Sequence, residues 1–132
     1  MSVCHNHFLD VAEHNLALGS EIGYRMAVGR CYYAMFHKIL DSVSGYQYEG
    51  IGGTHNDLCK YFTELAAVGG ENIDKISSKK IGYALQQAKS NRVIADYHIQ
   101  SSVDKSTAEF SIATAKKFFD TVDAILKPAK AS

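Results

Sequence analysis

The sequence predicts an all-α protein: an up-and-down helical bundle of four main helices plus a short extra helix. Two observations carry this. Apolar residues recur at helical spacing through nearly the whole chain, and no alternating strand pattern competes with them. The single proline, Pro128, lies near the C-terminal end, so nothing before it forbids long helices. A length of 132 residues suits one domain (1–132), with its core elements over about 8–126.

The first helix is expected from about Asn6 to Leu18, with Phe8, Val11, Ala12 and Leu16 on one face and Gly19-Ser20 as its stop. The second, about Glu21 to Val43, carries two apolar stripes. Ile22, Met26, Tyr33, Phe36, Leu40 and Val43 form one; Val28, Tyr32, Met35 and Ile39 form the other. Two stripes predict a central helix packed on two sides. Ser44 to Gly53 holds four glycines and reads as a loop.

Thr54 stands as an N-cap for a third helix to about Ala67, burying Leu58, Phe62 and Leu65 and stopped by Val68-Gly69-Gly70. The fourth helix begins at Asp74 or Ser77 and ends near Asp96. The fifth runs from about Asp104 to Leu126, with Ala108, Ile112, Ala115, Phe119, Val122 and Leu126 on its buried face and Lys127-Pro128 as its end.

Composition narrows the function. Fourteen basic and fourteen acidic residues give zero formal net charge, so any nucleic-acid contact has to be local. The three cysteines, Cys4, Cys31 and Cys59, form no CxxC pair, and no Glu-x-x-His pair of the di-iron kind is present. Neither a metal site nor a cofactor is expected. No apolar run approaches the roughly 20 residues needed to span a bilayer, and the N-terminus lacks the basic and apolar regions of a signal peptide. The expected location is the cytoplasm.

The most informative stretch is Asn91 to His98. Ile81, Leu85 and Ala88 recur at helical spacing, and the next position on their stripe is Arg92. An inward cation is costly unless it is paired or lines a cavity. Asp96, at i+4, shares its face and can pair with it. His98 stands six residues on. On a straight helix the two side chains are ~120° apart, so they serve one site only if the helix ends near Tyr97 or two copies meet. Arg30 and His37 share the second helix's stripe with Met26, Tyr33 and Leu40 and are expected to face inward, while His55 opens the third helix. For each histidine, a satisfied core or surface position is the plainer alternative.

Three motifs carry a resemblance. Arg30-Cys31-Tyr32-Tyr33-Ala34-Met35-Phe36, then Thr54-His55, then Arg92-x-x-Ala95-Asp96-Tyr97, resemble the HEPN domain superfamily over residues 8 to 126. The likeness is greatest to its small stand-alone members, with their "R-x-YYA-x-F", "TH" and "R-x-x-ADY" signatures. The resemblance implies an all-α bundle that commonly homodimerises. In ribonuclease members an Arg-x(4–6)-His motif meets its mate at the dimer interface and cleaves RNA without a metal ion, and Arg92-x(5)-His98 fits that spacing. By resemblance Arg92 and His98 are the catalytic pair; Asn91, Asp96 and Tyr97 stand beside them as supporting residues, and the inward-facing Arg30 and His37, with His55, are the binding candidates.

The sequence departs from the family pattern in two places. Toxin members that pair with a minimal nucleotidyltransferase antitoxin carry a tyrosine two residues after the histidine, where this chain has Gln100. The nearest stand-alone members often carry an acidic residue where His98 stands. Two readings therefore remain. One is a metal-independent endoribonuclease, as a toxin or phage-defence component. The other is a non-catalytic module that binds a nucleotidyltransferase partner or a nucleotide.

Overall fold

The computed structural model describes residues 3–43, 54–65 and 73–130. They form α1 (His5–Leu16), α2 (Glu21–Ser42), α3 (Thr54–Lys60), α4 (Lys75–Tyr97) and α5 (Lys105–Lys130), with no strand among them. The protein is the expected all-α bundle. The glycine-rich stretch 44–53 and the expected stop at 68–70 lie outside the described residues.

Helix starts follow the cap chemistry of the sequence. The Ser20 hydroxyl accepts from the Gly23 N–H at the start of α2. Asp74 accepts from the Ser77 N–H at the start of α4, and Asp104 from the N–H and hydroxyl of Thr107 at the start of α5. Gly23 permits the tight α1–α2 turn, because a Cβ there would stand 2.5 Å from the Asn15 carbonyl oxygen. At the other end, α5 runs past the expected stop to Lys130. Pro128 lacks the N–H that would donate to the Ala124 carbonyl, yet the backbone keeps its helical course for two further residues.

The third helix also differs from its reading. α3 is only seven residues long and continues into a π-helical stretch, Tyr61–Leu65. Tyr61 and Phe62 in that stretch are buried, and the buried Ser78 hydroxyl of α4 donates to the Phe62 carbonyl. A wide π turn displaces carbonyls from the α-helical ladder, so a donor from a neighbouring helix fixes it in place.

α2 is the central helix, with α1, α4 and α5 all against it, while α4 and α5 scarcely touch each other. Only one of its two apolar stripes is core. Val28, Tyr32, Met35 and Ile39 are buried, whereas Ile22 is exposed, Met26 is 47% exposed and Tyr33, Phe36 and Leu40 are half-buried. The neighbours surround one side of α2 and leave the second stripe at the edge. Arg30 and His37 lie on that edge, half-buried, and not in the core as their spacing had implied.

Candidate functional site

The edge stripe of α2 meets the last turns of α4, and a cluster of cations and tyrosines forms there. Tyr33 is its centre. The Arg30 guanidinium lies 4.8 Å from the Tyr33 ring centroid and the Arg92 guanidinium 5.4 Å from it. Arg92 is also 5.7 Å from the ring of Tyr97, so it is flanked by two aromatic faces. α4 packs beside α2 at Gly29, where a Cβ would sit at ordinary contact distance, 3.4 Å from Asp96 Oδ1 and 4.0 Å from Arg92 Cγ.

Arg92 Nε stands 2.9 Å from Asp96 Oδ2, an i,i+4 ion pair. Its N–H does not point along that line, so the contact is ionic and not a hydrogen bond. No hydrogen bond from the guanidinium to any described residue is formed, although the side chain is only 19% exposed. A guanidinium flanked by two rings, with a buried Nε that makes no hydrogen bond, can take a phosphate or carboxylate on its remaining donors.

α4 ends at Tyr97, and His98 leaves the helix with φ −92° and ψ 68°. The His98 side chain is exposed. Its backbone is held firmly: the His98 N–H donates to the Ile94 carbonyl, and its own carbonyl accepts from the Ser101 N–H.

The residue that fastens this end was missed in the sequence. Arg25 is 6% exposed, and its guanidinium donates to the carbonyls of Ile94, Ala95, His98, Ile99 and Ser101. It also pairs with Glu21 at 2.9 Å, and Glu21 in turn accepts from the Val103 N–H at 3.3 Å. The end of a helix leaves carbonyls without intrahelical partners, and Arg25 supplies donors to them from another helix. The signal was present in the sequence. Arg25 precedes Val28, Tyr32, Met35 and Ile39 on the α2 stripe that is core, so the inward-cation argument that singled out Arg92 applies to it with more force.

The remaining candidates fall around this cluster. His37 stacks on Phe8, with ring centroids 4.7 Å apart and planes 12° from parallel, and Phe8 lies 6.3 Å from Tyr33. His55 is on the other side of Tyr32: the Tyr32 hydroxyl stands 2.7 Å from His55 Nδ1, and the Tyr32 and Tyr33 rings meet edge to face at 5.0 Å. Asn91 points the other way around α4, accepting from Gln87 at 3.3 Å and lining the space between α4 and α5. Arg30, Arg92, Asp96 and Tyr97 therefore come together, His37 and His55 stand one aromatic layer away, and Asn91 is apart.

Burial pushes His55 down to about 4, with the Lys89 charge adding to the effect. Burial raises the Tyr32 hydroxyl well above its ordinary range and the neighbouring Cys59 thiol to about 11. The three form a neutral chain, with Cys59 Sγ 3.5 Å from His55 Nε2. A neutral His55 has a stability consequence. Its folded value lies below the unfolded 6.5, so the unfolded chain binds the proton more tightly and stability rises with pH between the two. The contribution is complete above about pH 6.5 and is lost as pH falls toward 4. His55 is partly buried, and solvent screening holds the effect to about 1–2 kcal/mol. Urea midpoints at pH 7.5 and 5 are expected to show this loss, and His55→Gln is expected to flatten the pH dependence.

Among the described residues, no group of three or more His, Cys, Asp or Glu side chains is placed to hold a metal ion. No helix there is long and apolar enough to cross a membrane. The sequence model of one protein family, the HEPN domain, matches residues 6–125. No curated protein and no solved structure matches the chain.

Proposed function

The chain belongs to the HEPN domain family, a family of RNA-binding proteins and nucleases, and from that premise we propose that it binds RNA at the Arg92 cluster and cleaves it without a metal ion. The observation that carries this reading is the Arg92 fork. It lies between the Tyr33 and Tyr97 rings and makes no hydrogen bond to any described residue. A phosphodiester oxygen is an acceptor that the Nη donors of this fork can reach. Arg30 adds a second cation beside the same ring, and the exposed Tyr97 offers a face for a nucleobase.

The chemistry follows from the residues. His98 takes the proton of a ribose 2′-OH, and the 2′-oxygen attacks phosphorus. The bond to the 5′-oxygen breaks as that oxygen receives a proton, leaving a 2′,3′-cyclic phosphate and a 5′-hydroxyl. The Arg92 guanidinium stabilises the charge that grows on the phosphoryl oxygens. Two imidazoles divide the base and acid roles when two copies meet. The exposed Ile22, Met26, Tyr97 and Ile99 beside the cluster provide an apolar rim for such a homodimer.

A second reading has its own support: Asp96 already offsets the Arg92 charge, and no described residue orients the His98 ring by a hydrogen bond. In that reading the cluster binds a nucleotide or a nucleotidyltransferase partner without cleaving RNA. The two separate on incubation of single-stranded RNA with the protein in EDTA. Wild-type protein is expected to release fragments ending in cyclic phosphate, and His98→Ala to be slower by at least about 100-fold with RNA binding retained. RNA left intact by the wild type, or cut equally by His98→Ala, sinks the ribonuclease reading. A toxin or phage-defence role rests on the same outcome.

A further inference from the structure

α4 and α5 follow one another through a short connection and both lie on α2, yet they scarcely touch. A trough runs between them with α2 as its floor, and three adjoining cavities mark its course. The first, of about 610 Å³, lies nearest the connection, between Ile94, Val103, Thr107 and Phe110. The second, of about 250 Å³, has Val28, Cys31, Tyr32 and Met35 beneath it and shares Gln87, Asn91, Phe110 and Ser111 with the first. The third, of about 200 Å³, shares Ala84 and Thr114 with the second and ends at Lys80 and Lys117.

From residue 80 to residue 94, α4 rises roughly 21 Å, about four helical turns. Three adjoining sockets over that length suit the apolar anchors of an amphipathic helix lying in a groove, which recur at i, i+4, i+7 and i+11 over about 16 Å. Phe110, 71% exposed, walls two of the sockets, and a docked helix would take it out of water.

Charge decides what kind of partner fits. The lining is apolar or uncharged except for Lys80 and Lys117, which stand together at one end. A nucleic acid needs cations along its whole path. Two ammonium groups at one end suit the C-terminus of a helix, where the dipole is negative, and acidic side chains in its last turn. We propose that this trough, three apolar sockets in line with Lys80 and Lys117 at one end, binds an amphipathic helix of a protein partner with its acidic C-terminal turn against the lysines. The surface is separate from the Arg92 cluster, because Asn91 lines the trough while Arg92 faces Tyr33.

The probe is a fluorescein-labelled, alanine-based helical peptide of four to five turns with leucines at i, i+4, i+7 and i+11. One form ends in glutamates and a twin ends in lysines, and binding to the whole chain is read by anisotropy. The glutamate form is expected to bind roughly ten-fold tighter than its twin, and the Lys80→Glu/Lys117→Glu variant to invert that order. Thr114 is exposed and borders two sockets. Thr114→Trp is therefore expected to abolish binding while leaving the unfolding midpoint unchanged. Equal binding of the two peptides, or binding that survives Thr114→Trp, overturns the proposal. So does a homodimer that Thr114→Trp dissociates in sedimentation, which would give the trough to a second copy.

Discussion

Replacing Arg25 by methionine is expected to destabilise the protein by about 3 kcal/mol, mostly through the end of α4. The side chain gives up donors to five carbonyls and its contact with Glu21. A hydrogen bond to a charged group contributes about 1.5–3 kcal/mol, but five bonds from one guanidinium share geometry and do not add in full. Methionine keeps much of the apolar stem's volume, so the loss reports the fork and not a cavity. Arg25→Lys keeps the charge, lacks the planar fork, and is expected to recover less than half. Urea unfolding gives the magnitude. Hydrogen exchange gives the location: the amides of 98–103 are expected to lose protection before those in the middle of α2 and α5. A uniform loss across the bundle would show that Arg25 is ordinary core and does not clamp α4.

The second large effect is expected at Arg92. Arg92→Ala is expected to lower RNA cleavage by about 100- to 1,000-fold, the scale of removing one donor aimed at transition-state charge. Arg92→Lys tests the geometry. A lysine keeps the charge, but as a point charge on a flexible stem it cannot pair with Asp96 and lie between two tyrosine rings at once. It is expected to recover less than one-tenth of the lost rate. Asp96 is one-third exposed, so its carboxylate regains water when Arg92 is removed and the unfolding midpoint is expected to move little. If Arg92→Ala loses activity only in proportion to its loss of folded protein, the residue is structural.

Arg25 and Arg92 together show how far the residues alone could be read. Both are cations on helical stripes of apolar residues, and spacing locates both. For Arg92 the partner is four residues away on the same helix, so the Asp96 pair was legible in one turn of sequence. For Arg25 the acceptors stand about seventy residues away on another helix. No local pattern announces them.

Helix number, order and approximate limits came from periodicity and caps, and the family from three short motifs. Helical spacing of 3.6 residues per turn fixes which side chains share a face, and that is a property of the backbone within a few turns. Which face meets another helix depends on neighbours distant in the chain. Val28 and Met26 belong to equally plausible stripes of α2, and only the placement of α1, α4 and α5 buried the first and exposed the second. The same placement drew Arg30, Arg92 and Tyr97 around Tyr33, turned Asn91 toward α5, set Arg25 against the end of α4, and left the trough open. Local spacing sets the helices and the pairs within them. Core, site and groove arise only when the helices pack, because burial is a relation between helices and not a property of any one of them.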